Sequence, residues 1–467
     1  MNKIRSFAAA ILVLAAGACS VLSLSGCSAS GKVASSVVAS DNASSYGTPA
    51  PSVAASDNDS SYSTPAGETP SASVSPIADA APSAEPSPSE VSSTEASAAP
   101  VSYTSPEVSV VTVSDAGGMY RAADLFTERD LTQSVDLSDA SFIDVSDGED
   151  VHITQEGIYV LGGSAGSVTV YVEAGSADKV QLVLNSLSIS NEDFPCIYVK
   201  QADKVFVTLV GENFLSVTGT FESDGKTNTD GVIFSKSDLV LNGTGSLDIS
   251  SSDNGIVCKD DLKITGGNYT VSSSSKCFEA NDSIRIAGGT FTLKAGTDCL
   301  HAENDDDPSL GYICIFGGSF EMESGDDCIH GESVVQIDSG SFAINAAEGI
   351  EATFIQINGG TISISSWDDG INAAQKSSAY RAAIEINGGE ITIVMGAGDT
   401  DGIDSNGDII INGGTINVTG NSAFDYDGNA EYNNGTIIVN GREMDEIPNQ
   451  FFGGMGPGGF GGKGFRP

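Results

Sequence analysis

From Asp230 to Asp427 a short phrase keeps returning: an acidic or polar residue, Gly or Cys, an apolar residue, then a polar one. It reads Asp230-Gly231-Val232, Asn254-Gly255-Ile256-Val257, Lys276-Cys277-Phe278-Glu279 and Asp298-Cys299-Leu300-His301. It continues as Asp327-Cys328-Ile329-His330, Glu348-Gly349-Ile350-Glu351, Asp369-Gly370-Ile371-Asn372 and Asp401-Gly402-Ile403-Asp404. Successive starts lie 24, 22, 22, 29, 21, 21 and 32 residues apart, a period of about 22 with two insertions. Between the phrases run alternating segments broken by Gly-Gly, such as Ile355-Gln356-Ile357-Asn358-Gly359-Gly360-Thr361-Ile362-Ser363-Ile364. Alternation without a helical stripe predicts strands, and a fixed repeat of this length predicts a stacked β-solenoid. Stacked parallel strands bury their inward residues, and Gly-Gly pairs suit corners that need positive φ. The expected fold is all-β: a right-handed parallel β-helix of about 22-residue coils.

The rest of the chain divides by composition. Basic residues at Lys3 and Arg5 precede an apolar run from Phe7 to Leu24, the pattern of an export signal. Leu24-Ser25-Gly26-Cys27 resembles a bacterial lipobox, with Ala16-Gly17-Ala18-Cys19 as a weaker competitor and a plain secretory signal as the alternative. Residues 1–27 are thus expected to be a lipoprotein signal, with Cys27 lipidated on the extracellular face of the cell membrane. Residues 28–116, rich in Ser, Ala and Pro, cannot bury enough apolar area to offset chain entropy and are expected to form a disordered tether. Such a coil spans ~50 Å. Residues 117–178 are expected to supply an N-terminal cap and first strands, 179–441 the β-helix, and 442–467 a flexible Gly/Phe-rich tail.

Charge narrows the partners. Sixty-three acids against 20 Lys and Arg give a net charge of −43. That repels nucleic acid and anionic membrane surfaces, so membrane contact is expected only through the anchor, and the chain is expected to be a monomer. Stacking places Asp298, Asp327, Glu348, Asp369 and Asp401 above one another, with Glu279, His301, His330, Glu351, Asn372 and Asp404 in a second column. Carboxylates one strand spacing apart repel by about 0.9 kcal/mol even in water, and more beside protein. Cations, raised pKa values or splayed side chains must relieve this. Oxygen ligands at such spacing suit calcium. The doubled acids Asp326-Asp327 and Asp368-Asp369, and Asp399 beside Asp401, extend the set. The alternative is solvated turn acids that deter edge-to-edge aggregation. His301 and His330 fit hydrogen bonding to the adjacent acids better than transition-metal binding. Cys277, Cys299 and Cys328 occupy the slot that is Gly elsewhere and suit buried, reduced thiols.

The run Val183-Leu184-Asn185-Ser186-Leu187-Ser188-Ile189, the segment Cys196 to Val205, and phrases such as Asp369-Gly370-Ile371-Asn372-Ala373 and Ile411-Asn412-Gly413-Gly414-Thr415-Ile416 carry a resemblance. Over about residues 117–441 the chain resembles a family of secreted bacterial carbohydrate-binding β-helix proteins with a pectate-lyase-like fold. The resemblance implies calcium in the β-helix and binding of cellulose or acidic plant polysaccharide. The Cys at 277, 299 and 328 depart from the Gly of many relatives, while the neighbouring acids remain.

Three functions stay open. The first is a cell-surface, calcium-dependent polysaccharide-binding protein. Its metal ligands would come from Asp298, His301, Asp326, Asp327, Glu348, Glu351, Asp368, Asp369, Asp399, Asp401 and Asp404. Its sugar contacts would come from Trp367, Tyr312, Tyr380 and Arg381, although Trp367, the only Trp, could equally cover a corner. The second is a pectate lyase, which needs a Lys or Arg base such as Arg381 beside calcium. The third is a structural adhesin.

Overall fold

The computed structural model describes residues 109–113, 115–397 and 400–449. Cys27, the export signal, most of the tether, Asp399 and residues 450–467 lie outside the described residues. Among those described, strands form two sheets, one of 24 strands and one of 12. A typical coil runs Asn254–Cys258 in the smaller sheet, then Asp261–Ile264 and Asn268–Ser273 in the larger. Each strand pairs in parallel with its counterpart in the next coil: Ile233, Ile256, Phe278 and Leu300 lie opposite one another, as do Ile350, Ile371 and Ile403. This is the arrangement of a β-helix or solenoid. One continuous apolar core fills it.

Repetition decides how that core packs. Tyr269, Phe291, Phe320 and Phe342 stack face to face, with centroids 5.2, 4.6 and 4.6 Å apart. At the Asn-Gly-Gly corners, Asn387 donates to Asn358, Asn412 to Asn387 and Asn433 to Asn412, each at 2.8 Å. The two corner glycines answer different constraints. A Cβ on Gly359 would lie 2.6 Å from the Asp338 carbonyl oxygen of the previous coil, whereas Gly360 takes φ 95°. Asn387→Ala breaks the amide ladder on both sides and should cost about 2 kcal/mol. Urea unfolding checks this, and a shift below ~0.5 kcal/mol would show the ladder to be decorative. Cys196, Cys277, Cys299 and Cys328 are free and fully buried.

Both ends of the solenoid depart from expectation. Residues 109–113 and 115–133, spanning the end of the expected tether and the start of the expected cap, run along the flank of the larger sheet. Ser109 and Val111 bond to Gln133 and Leu131. Tyr120 donates its N–H to Gln336 and accepts from the same amide. Tyr120 stacks on Tyr312 at 4.6 Å, and Phe126 meets Phe316 edge-on. The reason lies in the strand Tyr312–Ile315 and Phe316 just beyond it: Ile313 and Ile315 fill the core, while Tyr312, Cys314 and Phe316 belong to a second apolar cluster that needs its own cover. At the other end, Arg442–Met444 turns back antiparallel on Thr436–Val439, and Ile447 is buried against the core. The first residues of the expected tail therefore close the last coil.

Candidate functional site

One column of the smaller sheet changes chemistry along the solenoid. It begins with His152, Tyr171, Tyr198 and Phe234, in register. His152 stacks on Tyr171 at 4.9 Å. After Val257 the column turns polar: Glu279, His301, His330, Glu351, Asn372, Asp404 and Asp425. Alternation turns this column away from the core, since the intervening Phe278, Leu300, Ile329, Ile350, Ile371 and Ile403 all enter it.

The polar stretch divides into three parts by how its charge is met. Glu279 sits 2.7 Å from Lys259 and 3.2 Å from Lys276. Burial works against its charge, but the lysines hold its carboxyl below the usual range. A polar cleft of about 270 Å³ opens there, lined by both lysines, Glu279, His301, Glu303 and Asn304.

Imidazoles serve the next coils. His301 Nδ1 lies 2.9 Å from Asp298, and His330 Nδ1 lies 2.6 Å from Asp327 and 3.1 Å from Glu351. Against burial, His301 and then His330 hold Asp298 below the usual carboxylate range. Burial opposes charge on His330 too, but the two carboxylates push it up to about 9. Burial and the nearby Glu351 charge raise Asp327. Glu351 is lowered against burial by His330 and by Lys376, which approaches to 2.8 Å.

Beyond Glu351 the basic partners stop. Among the described residues no basic side chain pairs with Glu348, Asp369 or Asp404. Burial, reinforced by the charges of Glu351, Asp327 and Asp369, raises Glu348 to about 8. Burial with Asp401, Asp368 and Glu351 raises Asp369 to about 6. Burial with Asp369, Asp401 and Asp425 raises Asp404 to about 7. Two buried oxygens in these coils, Asn372 Oδ1 and Thr400 Oγ1, have no hydrogen-bond partner. This set offers oxygen donors alone, the donor chemistry of hard cations, whereas the His301 and His330 coils add imidazole nitrogen. Asp326 and Asp368 are exposed turn acids.

The expected sugar contacts separate. Trp367 is 50% exposed, two residues from Asp369, and Gly396 of the next coil lies beside it without a side chain. Tyr312 is buried beneath Tyr120 and offers no face to a sugar. The Tyr380 hydroxyl meets Tyr120 in the same flank packing. Arg381 is exposed 3.9 Å from Asp408, at the start of a strand of the larger sheet, so the base that reaches the acid column is Lys376. The repeat slot itself marks Asn372, because it shares the position of Glu351 and Asp404. Lys376 and Thr400 sit in insertions with no periodic signal.

Comparison with known proteins gives three similarities. A family described as carbohydrate-binding domain-containing protein matches residues 147–399 and again 348–446. A carbohydrate-binding domain-containing protein of Acetivibrio thermocellus is 34% identical over 143 residues, 29% of this chain and 49% of the relative. The chain thus spans about half the length of that curated relative. The solved polysaccharide lyase-like protein from C. thermocellum, a gadolinium derivative, is 23% identical, with a TM-score of 0.38 covering 65% of this chain and 96% of that one.

Proposed function

The chain belongs to the family of carbohydrate-binding domain-containing proteins, and on that premise we propose that it is a calcium-dependent binder of plant-type polysaccharide, cellulose or polyuronate. The observation that carries this reading is the oxygen-only end of the acid column. There, among the described residues, Glu348, Asp369 and Asp404 form no ion pair with a basic side chain, burial and neighbouring carboxylates raise their pKa values, and the buried oxygens Asn372 Oδ1 and Thr400 Oγ1 of the same coils have no hydrogen-bond partner. Glu348, Asp369, Asp401, Asp404, Asn372 and Thr400 would hold calcium, which when bound would neutralise the column and bridge it to uronate carboxylates. Trp367 supplies an exposed aromatic face next to it, as sugar stacking requires. The lipid anchor at Cys27 and the tether complete the proposal by placing the solenoid outside the cell, and they rest on the sequence.

Lysis by β-elimination is the competing reading, and Lys376 weighs against it. Although burial lowers its pKa, Glu351 raises it further, so the amine stays protonated where a base should be poised near the working pH.

The test is retention of the mature protein on polygalacturonate and on insoluble cellulose, in calcium and then in chelator. Absorbance of unsaturated sugar ends is followed in parallel. Retention lost in chelator without rising absorbance is expected. Trp367→Ala should reduce retention at least tenfold while leaving the melting midpoint unchanged, because the ring is half exposed. A variant that binds as well as the parent removes Trp367 from the site. Rising absorbance makes the protein a lyase.

A further inference from the structure

We propose that the stacked pairs Asp298–His301 and Asp327–His330, with Glu351, form a site for a divalent transition metal of zinc or nickel type, separate from the calcium column. Asp327 Oδ2, His330 Nδ1 and Glu351 Oε2 lie within 4.8 Å of one another, and Asp327 and Glu351 are buried. The preceding coil repeats the pattern in register: His301 pairs with His330, and the two rings stack at 4.6 Å and 18°.

A second observation points to an ion. His301 is 7% exposed, and its Nδ1 is a buried atom without a hydrogen-bond partner. Its charged neighbour there is Asp298 Oδ2, 2.9 Å away. The other ring nitrogen, Nε2, lies 3.2 Å from Glu303 Oε2. A ring that donates there keeps its lone pair on Nδ1, as metal-bound imidazoles do when an outer carboxylate fixes their tautomer. With both ring protons in place His301 forms the ion pair that holds Asp298 down, whereas with the Nε2 proton alone the Nδ1 lone pair and the carboxylate oxygen face each other and a metal cation joins them. Ligands about 2.0–2.2 Å from a common metal stand ~3 Å apart. Imidazole beside carboxylate selects zinc, nickel or copper over calcium. The cysteines of the same phrases do not compete: Cys299 and Cys328 turn into the core, Cys328 Sγ lying 3.2 Å from Ser324 Oγ.

Lys376 is the competitor. Its ammonium and His330 Nδ1 approach the same oxygen of Glu351, at 2.8 and 3.1 Å. Its side chain is one-third exposed, so it can leave toward solvent when an ion arrives.

The experiment titrates zinc into the chelator-stripped mature protein with calcium already saturating, read by calorimetry and by histidine side-chain NMR. The chain has 3 histidines, and His152, with its side chain 53% exposed in the first coils, serves as internal control. Zinc is expected to bind despite excess calcium and to shift His301 and His330 but not His152. His301→Gln and His330→Gln should each weaken binding at least tenfold, and Lys376→Met should tighten it. Zinc displaced by calcium, or an unmoved His301 and His330 in the parent protein, overturns the proposal, whether or not the variants fold. The site stands independently of the glycan reading, since retention on polysaccharide in calcium alone is scored without zinc.

Discussion

Asp130→Ala is expected to lower the stability of the folded protein by about 3–5 kcal/mol. Asp130 is 1% exposed and lies in the flank segment, far in sequence from the lysines it meets: Lys263 at 3.1 Å and Lys204 at 3.9 Å. Its own N–H closes a capping box with Thr127, whose N–H it accepts at 2.9 Å. Burial opposes its charge, yet the Thr127 N–H and both lysines hold its carboxyl below the usual range. Removing it strands Lys263, itself 6% exposed, as an unpaired charge under the flank segment. The lost partner matters more than the lost contact. Denaturant unfolding measures the effect, and adding Lys263→Met to Asp130→Ala should recover part of the loss. A loss below ~1 kcal/mol, or no recovery in the double variant, would show that the segment rests on the sheet without being held there. The same pair carries a pH signature. A carboxyl with a depressed folded pKa contributes stability above its unfolded pKa, near 3.9, and loses it as pH falls through the lower folded value.

The second large effect is calcium, and it reverses a pH slope. Glu348, Asp369 and Asp404 are raised to about 8, 6 and 7 by burial and by the charges of neighbouring carboxylates. An acid raised in the folded state binds more protons folded than unfolded, so stability falls as pH rises from its unfolded pKa toward its folded one. In chelator the protein should therefore lose stability between pH ~4 and ~8. His330, raised to about 9, adds a loss of the same sign above its ordinary value near 6.5. Calcium requires the deprotonated carboxylates, so its stabilisation should grow over that window. At 100 times its dissociation constant it would reach about 2.7 kcal/mol per site, raising the melting midpoint by roughly 5 °C. Melting curves at pH 5, 6.5 and 8, with calcium and with chelator, check this. A chelated protein whose stability is flat or rises with pH would remove the crowded carboxylates from the account, and an absent calcium shift at pH 8 would remove the ion.

Much of the fold was legible in the sequence because a solenoid writes its architecture as a period. Ile256, Phe278 and Leu300 enter the core, while Val257, Glu279 and His301 share one face, since strand alternation and a fixed coil length permit no other register. The repeated phrase alone also aligns Glu279, His301, His330, Glu351, Asn372 and Asp404 in one column. The flank was not legible. Tyr312, Cys314 and Phe316 alternate with the core residues Ile313 and Ile315, and no local pattern says that this outer face needs Phe126 and Tyr120 as cover. Hence the expectation of Tyr312 as a sugar contact fails, since Tyr120 covers it, and Arg381, expected as a sugar contact or lyase base, lies against Asp408 of the larger sheet.

What the sequence alone determined is the class of the molecule: stacked parallel strands, an acidic column on one face and stacked thiols inside. Only the tertiary structure decided which acids are left without counter-charge. Lys259 comes from the neighbouring coil and Lys276 from the same phrase to Glu279, and Lys376 comes from an insertion to Glu351, whereas among the described residues no basic side chain forms an ion pair with Glu348, Asp369 or Asp404. The repeat period fixes which residues share a column. The reach of long side chains from turns and insertions, which carry no period, fixes which of those residues are neutralised.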